Sequence, residues 1–371
     1  MIRVWTAIAA LFVGIPAVAW GQAAAQPAAQ GAGSAELLAA RQKGLEWLSK
    51  NQAPDGSWGK QYTVAVTSLA CLSYLANSDD PYQGETGKSL VRGLGFLLGQ
   101  QKEGKFPPQG HTWIHGQGFA TLALAEAYGR TLFCKTKPDM DAAKMRDAVA
   151  AAVKVIVENQ SNSGGWWYTP GSKGQHEGST TVTAVQAFVS ASNFGVHVPE
   201  EALDKGFEYL KKCQNQDGGF DYMLDDNPNT PSMKEGTAGD VATLALMRKF
   251  DHAVMMNAFN FLIKVTPQQI TKERFPYYGH FYGCMGMKLL GEEMKPLRDQ
   301  ANAYIAAAHK DILSWQANDG TWPVVNWMKE NSQEGAAYST AFATLLLSVP
   351  EGRLSIFNRK PPTLPKAPAS P

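Results

Sequence analysis

Five polar or aromatic residues, each followed directly by glycine, precede apolar segments and carry much of the chemistry that this sequence offers. They are His115, Glu177, Glu235, Tyr278 and Glu334. Carboxyl, imidazole and phenol groups can transfer protons, and they can also bind a polar ligand. A glutamate in a first helical turn also favours the helix dipole, and glycine frees the backbone. The residues alone therefore leave two roles open, helix capping and capping combined with ligand binding.

Asp240 is an acid inside an otherwise apolar segment, since Val241, Ala242, Leu244 and Ala245 follow it. Burial in such surroundings disfavours the charged form of a carboxyl group. We therefore predict that Asp240 is a catalytic carboxylate, with Glu235 as a second candidate. The alternative for Asp240 is a first-turn acid bonded to nearby amides. The predicted ligand-binding residues are His115, Glu177, Tyr278, His280 and Glu334.

His280 and Cys284 are the one histidine–cysteine pair at helical spacing, one turn apart. Two ligands at this spacing can share a metal ion, but a third ligand is not identifiable in the sequence. We therefore expect a packed helix here, with neither a metal site nor a cofactor.

A repeated phrase indicates the elements that must position these residues. In each copy a glutamine is followed four residues later by glycine and six residues later by an aromatic residue. The copies are Gln52-Gly56-Trp58, Gln100-Gly104-Phe106, Gln160-Gly164-Trp166, Gln214-Gly218-Phe220 and Gln316-Gly320-Trp322, with a degenerate copy at Gln269-Glu273-Phe275. Repetition with a period of several tens of residues is typical of modular architectures.

Each phrase separates an amphipathic helical segment from an apolar one. The amphipathic segments include 148–158, 202–212, 257–265 and 301–315, and the apolar segments include 118–128, 180–192, 239–247, 281–290 and 337–347. Helices that are apolar nearly all round are buried on most sides. Six pairs therefore predict two concentric rings of helices, an all-α α6/α6 toroid. Sustained period-two alternation is absent, which predicts little sheet.

The phrase resembles the QW motif of squalene-hopene and oxidosqualene cyclases, and the chain resembles the terpenoid cyclase and protein prenyltransferase superfamily over about residues 36–350. The resemblance implies an α6/α6 barrel with a central cavity. In that barrel the five residue–glycine pairs would lie at one end, around the cavity mouth.

The resemblance also shows which signatures of the superfamily this sequence lacks. Cyclases of this kind protonate an alkene with an Asp-x-Asp-Asp motif, and the nearest pair here is Asp225-Asp226, in a segment typical of a loop. The zinc ligands of prenyltransferases and the Cys-Gly-Glu-Gln signature of thioester domains are also absent from the sequence. Ordinary squalene or diterpene cyclisation is therefore not expected.

The two ends of the chain differ in composition from the repeats. Residues 1–23 read as a cleaved signal peptide, 24–35 as a linker, 36–357 as the toroid and 358–371 as a proline-rich tail. We therefore expect a secreted or periplasmic protein. The net charge is +1 without a basic stripe, so nucleic acid is not expected as a partner.

Three functions remain open from the sequence. The first is an exported cyclase-like or prenyltransferase-like protein that acts on, or binds, a lipophilic isoprenoid-like ligand in the cavity. The second is a non-enzymatic scaffold for a protein or glycan, and the third is a carbohydrate-active enzyme using two carboxylates. We expect a lipid or other small-molecule partner, and contact with a membrane surface is compatible with the sequence. Fold alone does not choose among these functions.

Overall fold

The computed structural model describes residues 33–224, 230–326 and 335–365. The expected signal peptide, Asp225-Asp226 and Glu334 lie outside these residues. Within them the chain is helical, and the β-type pairings are three isolated bridges. The all-α prediction is therefore confirmed.

Thirteen α-helices occupy the described part of the chain. They are α1 (Gly33–Lys50), α2 (Thr63–Ala76), α3 (Gly84–Gln100), α4 (Trp113–Phe133), α5 (Ala142–Glu158), α6 (Gly178–Asn193), α7 (Glu200–Cys213), α8 (Lys234–Leu246), α9 (Ala253–Lys264), α10 (Pro267–Ile270), α11 (Pro276–Glu293), α12 (Arg298–Ser314) and α13 (Gly335–Ser348). The inner helices begin earlier than the apolar pattern predicted. His115, Glu235 and Tyr278 therefore lie inside their helices rather than before them.

Six apolar helices form a closed inner ring in the order α2, α4, α6, α8, α11, α13, and α13 packs back against α2. The amphipathic helices α1, α3, α5, α7, α9 and α12 form the outer ring. The inner helices bury nearly all of their residues, whereas the outer helices bury one face. The α6/α6 toroid is thus confirmed.

In four copies of the phrase the glutamine bridges consecutive outer helices. Gln160 Nε2 donates to the carbonyl of Gly164 in its own turn at 2.7 Å and to that of Ala202 on α7 at 2.9 Å. The glutamines at 52, 214 and 316 make the same pair of bonds. The last of them, Gln316, donates to Ala40 on α1 at 2.9 Å and so closes the ring.

The aromatic residue of the phrase fastens the outer helix to the inner one. The Trp322 indole donates to the carbonyl of Ile312 at 2.7 Å, and its backbone N–H donates to Thr340 Oγ1 at 3.1 Å. Trp58 and Trp166 repeat this pattern. The turn glycine has a positive φ, for example +92° at Gly320, where an added Cβ would lie 2.7 Å from the Lys43 carbonyl. Another residue type would be strained there.

Two copies depart from the predicted phrase. In the second copy the bridging bond comes from Gln101 and not from Gln100, and it reaches the Ala148 carbonyl at 3.0 Å. The degenerate copy forms no such bridge, because Gln269 accepts from the Thr266 N–H in a capping box at the start of α10.

The C-terminal segment 349–357 lies across one end of the inner ring. Ser355 donates through its N–H and its hydroxyl to the buried Glu126 of α4, at 2.8 and 2.5 Å. Phe357 is buried against Phe281 of α11, and the Lys288 ammonium donates to the Phe357 carbonyl. The C-terminal end of the inner ring is therefore covered, which leaves the N-terminal end as the mouth.

Replacing the buried aromatic residue of a phrase tests its role. Trp322→Ala removes a fully buried side chain and its bond to α12, so we expect a loss of about 3–5 kcal/mol in the free energy of unfolding, measured by urea titration. Trp47→Ala is the matched control, since Trp47 is half-buried and is expected to cost less. Equal stability of the wild type and Trp322→Ala would contradict this role.

Candidate functional site

Asp240 and Glu177 form the acidic centre of a cluster at the mouth. Both side chains are buried, Asp240 in the second turn of α8 and Glu177 directly before α6. A Cβ added to Gly178 would lie 3.9 Å from Asp240 Oδ1, so this oxygen faces the start of α6. The sequence prediction that the two acids belong to one end of the barrel is therefore consistent with the geometry.

Glu177 caps α6. Its carboxyl group accepts from the N–H groups of Ser179 and Thr180, at 2.8 and 2.5 Å, and from the Ser179 hydroxyl at 2.7 Å. Burial raises the pKa of Glu177 to about 7, although these hydrogen bonds oppose the rise. The group is thus poised to gain or lose a proton near neutral pH.

Asp240 is held differently, because Oδ1 has no hydrogen-bond partner among the described residues. Burial raises the pKa of Asp240 well above its usual value, and the neighbouring Glu177 carboxylate adds to the rise. Both effects favour the neutral form of the Asp240 carboxyl group, which is the form that can donate a proton or a hydrogen bond. The alternative from the sequence, an acid bonded to nearby amides, does not describe Oδ1.

Aromatic and hydroxyl side chains surround the two acids. The Tyr168 and Tyr222 hydroxyls are 2.6 Å apart, and His115 Nε2 lies 3.2 Å from the Ser179 hydroxyl. His115 also packs against the Tyr168 ring at 5.8 Å. Burial, with His111 nearby, lowers the pKa of His115 to about 4, so His115 is neutral at pH 7.

Tyr278 of α11 completes the cluster from the opposite side. Its hydroxyl lies beside Gly239, where an added Cβ would be 2.4 Å away, and this hydroxyl has no hydrogen-bond partner among the described residues. Burial raises the pKa of Tyr278, and Tyr282, Asp240 and Glu177 add to the rise. Tyr278 is therefore a neutral phenol next to the acid.

Of the remaining predicted residues, His280 lies away from the cluster and Glu235 lies at its edge. His280 faces the outer ring, where Nε2 lies 3.1 Å from the Thr271 hydroxyl and the imidazole packs edge-on against Trp315. Glu235 is buried at the start of α8, where its backbone and Cβ lie close to Gly279. Burial raises the pKa of Glu235. The structure thus brings together Asp240, Glu177, His115 and Tyr278, and it separates His280 from them.

Below the cluster, aromatic side chains fill the barrel axis. Phe342 contacts both Phe119 and Phe281 edge-on, and the Tyr282 hydroxyl donates to Gln186 Oε1 at 2.9 Å. These contacts join α4 to α13 and α11 to α6, which are not neighbours in the ring. Aromatic side chains therefore lie below the acids as well as beside them.

Sequence reasoning missed several members of this cluster. Tyr168 and Tyr222 each stand two residues after a phrase aromatic, Trp166 and Phe220, so comparing successive repeats would have found them. Glu126 also escaped notice, although it is an acid inside an apolar helix in the same way as Asp240.

Three properties of the described residues bear on possible partners and ligands. Among the described residues, the exposed large hydrophobic side chains are Leu38 and Leu364. No helix in that part of the chain is both long enough and apolar enough to cross a bilayer. No grouping of three potential metal-ligating side chains occurs in the same residues.

No protein-family model matches the chain. It is 23% identical over 203 residues to a terpene cyclase–glycosyl transferase fusion protein of Humicola fuscoatra, covering 47% of this chain and 15% of that protein. It is 37% identical over 70 residues to a lanosterol synthase of Aspergillus fumigatus, covering 18% of this chain and 9% of that protein. The chain thus spans a small part of these relatives.

Solved structures agree on the architecture. The type II terpene cyclase MstE from Scytonema aligns with a TM-score of 0.53 at 16% identity, covering 86% of this chain and 98% of that one. The chain is therefore similar to terpenoid cyclases in part of its sequence and in its fold. An α-1,6-mannanase from Salegentibacter aligns with a TM-score of 0.59 at 10% identity, covering 84% and 98%. The D-mannose isomerase structure has a TM-score of 0.57 at 13% identity, covering 87% and 98%. At these identities the likeness to solved structures establishes the toroid fold.

Asp240→Asn tests the protonation state of the buried acid. Because the pKa of Asp240 is raised, the folded protein keeps a proton that the unfolded chain releases above about pH 4. The wild type therefore loses stability as pH rises above that value, and the amide does not. We expect the variant to stay folded and to gain in melting temperature relative to the wild type between about pH 4 and pH 8, by circular dichroism.

A pH-independent difference in melting temperature would show that Asp240 does not titrate as described. Unfolding of the Asp240→Asn variant would assign the residue a structural role instead.

Proposed function

We propose that this terpenoid cyclase-like protein binds a lipophilic, isoprenoid-like ligand at the mouth of the barrel, with Asp240 as the proton donor to it. One observation carries the proposal: a fully buried carboxylic acid with an unpartnered oxygen stands among aromatic side chains at the mouth of a toroid. An apolar wall suits an isoprenoid chain, and a neutral acid is the form that can protonate one.

The chemistry follows from the surroundings of Asp240. A protonated carboxyl group can give its proton to an alkene carbon, and aromatic faces attract the positive charge that then develops. Tyr278, Tyr168 and Phe119 supply such faces near the mouth. Asp240 would perform this step from within an inner helix that lacks the Asp-x-Asp-Asp motif. The structures of MstE with geranylgeranyl dihydroxybenzoate and with merosterolic acid A support a ligand of this class.

Carbohydrate chemistry is the second candidate, and the paired acids favour it. Asp240 and Glu177 interact electrostatically, and their surroundings favour the neutral form of Asp240 while helical N–H groups stabilise the Glu177 carboxylate. Glycoside hydrolysis needs such an acid and such a base. The Salegentibacter mannanase has also been solved with α-1,6-mannotriose. The aromatic filling of the barrel axis favours the lipophilic ligand over this candidate.

We also propose that the protein acts outside the cytoplasm, on the strength of the signal-peptide pattern in residues 1–23. N-terminal sequencing of protein from the exported fraction tests this proposal, and an intact Met1 there would contradict it.

Native mass spectrometry with lipid extraction tests the main proposal. We expect the wild type from its exported fraction to carry an isoprenoid or related lipid. We expect the Asp240→Asn variant to retain that lipid but to release no altered product when it is incubated with the extracted lipid, because the amide cannot donate the acidic proton.

A protein that carries no lipid, and that binds mannotriose in the same instrument, would favour the second candidate. Binding of neither would contradict both and would favour a scaffold.

A further inference from the structure

Three buried polar atoms near the mouth lack hydrogen-bond partners. They are Asp240 Oδ1 on α8, the Tyr278 hydroxyl on α11 and Gln186 Nε2 on α6. A buried polar group without a partner is costly, and native proteins leave few of them. Groups of this kind within one site are therefore candidates for bonds to a bound molecule.

Contacts connect the three atoms into one seam between α6, α8 and α11. The Tyr278 hydroxyl lies beside Gly239, the residue before Asp240. The Tyr278 ring packs on the Tyr282 ring with centroids 4.6 Å apart, and the Tyr282 hydroxyl donates a hydrogen bond to Gln186 Oε1. The Gln186 amide is thereby oriented so that its N–H groups remain free to donate.

The hydrogen-bonding character of the seam selects an acceptor. An amide nitrogen is a donor only, and a neutral phenol and a neutral carboxylic acid can each donate one hydrogen. A ligand oxygen that accepts hydrogen bonds is the partner that the Gln186 amide and the Tyr278 hydroxyl lack.

The acids around the seam disfavour an anionic ligand. Apart from Tyr282, the groups that raise the pKa of Tyr278 by their charge are the acids Asp240, Glu177 and Glu235. The first N–H groups of α6, which would otherwise favour an anion, already bind the Glu177 carboxylate. The positive charge of Arg274 opposes the rise in the pKa of Tyr222 and of Glu235. The Arg274 guanidinium lies over the Phe275 ring, 5.4 Å from its centroid. A diphosphate in this seam would meet the carboxyl groups of Glu177 and Glu235, and Arg274 is the nearby cation.

We propose that the seam is a subsite for the uncharged oxygen of an isoprenoid alcohol or carbonyl compound, and that it discriminates against prenyl diphosphates. This inference rests on the proposed function, because it assigns the polar end of the same lipophilic ligand. The hydrocarbon chain would lie against the aromatic side chains, and the oxygen would accept from Gln186 and Tyr278.

Binding of three probes to the full-length protein tests the inference. The probes are geranylgeraniol, geranylgeranyl diphosphate and squalene, and binding is measured by quenching of tryptophan fluorescence. We expect the alcohol to bind at least about tenfold more tightly than the diphosphate, since repulsion opposes the latter. Gln186→Met and Tyr278→Phe should each weaken alcohol binding about fivefold to tenfold and leave squalene binding unchanged.

Tyr304→Phe is the matched control, because the Tyr304 hydroxyl is also buried without a partner but lies beside Gly283, towards α12. This variant should bind all three probes as the wild type does. A melting temperature at or above that of the wild type is expected for Tyr278→Phe, since it removes an unsatisfied group. Gln186→Met also removes the acceptor of the Tyr282 hydroxyl and is therefore expected to melt at a lower temperature.

The outcomes separate the subsite from the function on which it rests. Diphosphate binding equal to or tighter than alcohol binding would contradict the proposed subsite but not the proposal that the protein binds a lipophilic ligand. Equal alcohol binding by wild type, Gln186→Met and Tyr278→Phe would do the same. Failure of all three probes to bind the wild type would contradict the proposed function itself.

Discussion

The structure depends on one hydrogen-bonding arrangement, the glutamine side chain that joins one outer helix to the next. Its amide nitrogen donates both to the turn of its own repeat and to a carbonyl of the following outer helix, as at Gln160. A single amide thus fixes the turn and the spacing between repeats together. Because the aromatic residue after each turn is bonded to the following inner helix, as Trp166 is to Thr181, the same turns help to place the first residues of the inner helices. The position of Glu177 and Asp240 at one mouth is a consequence of that spacing.

The mouth buries two neighbouring carboxyl groups, and burial disfavours the charged form of each. Two carboxyl groups are buried near each other, and neither has a cation as its closest partner. The two carboxyl groups differ in the hydrogen bonds that they accept. Glu177 receives the helical N–H groups that stabilise a negative charge, whereas Asp240 receives none at Oδ1, which favours its neutral form. Proximity therefore separates the protonation states of the pair, which is the condition for acid–base chemistry in one site.

Much of this molecule could be predicted from its sequence, and the reasons are physical. The phrase and the alternation of amphipathic and apolar segments predict the toroid because both depend on local periodicity. Asp240 could be singled out because an acid in an apolar helix must be paired, neutral or functional. The direction in which His280 points could not be predicted, since it depends on how α11 is rotated between the axis and α12. The role of Gln101 in place of Gln100 depends on a shift of one residue at a helix end, which periodicity does not resolve.

The bond from Gln316 to Ala40 gives the repeat array a topological property. Linear repeat proteins need terminal repeats with polar outer faces, because their first and last units would otherwise expose an apolar flank. Here the first outer helix covers the flank of the last repeat, so the array has no terminus that requires a cap. Most contacts in the ring join units that are adjacent in sequence, whereas the contact between the last and the first repeat joins residues 276 positions apart. Folding can therefore propagate from unit to unit, but the ring becomes a closed body only after its last repeat has been made.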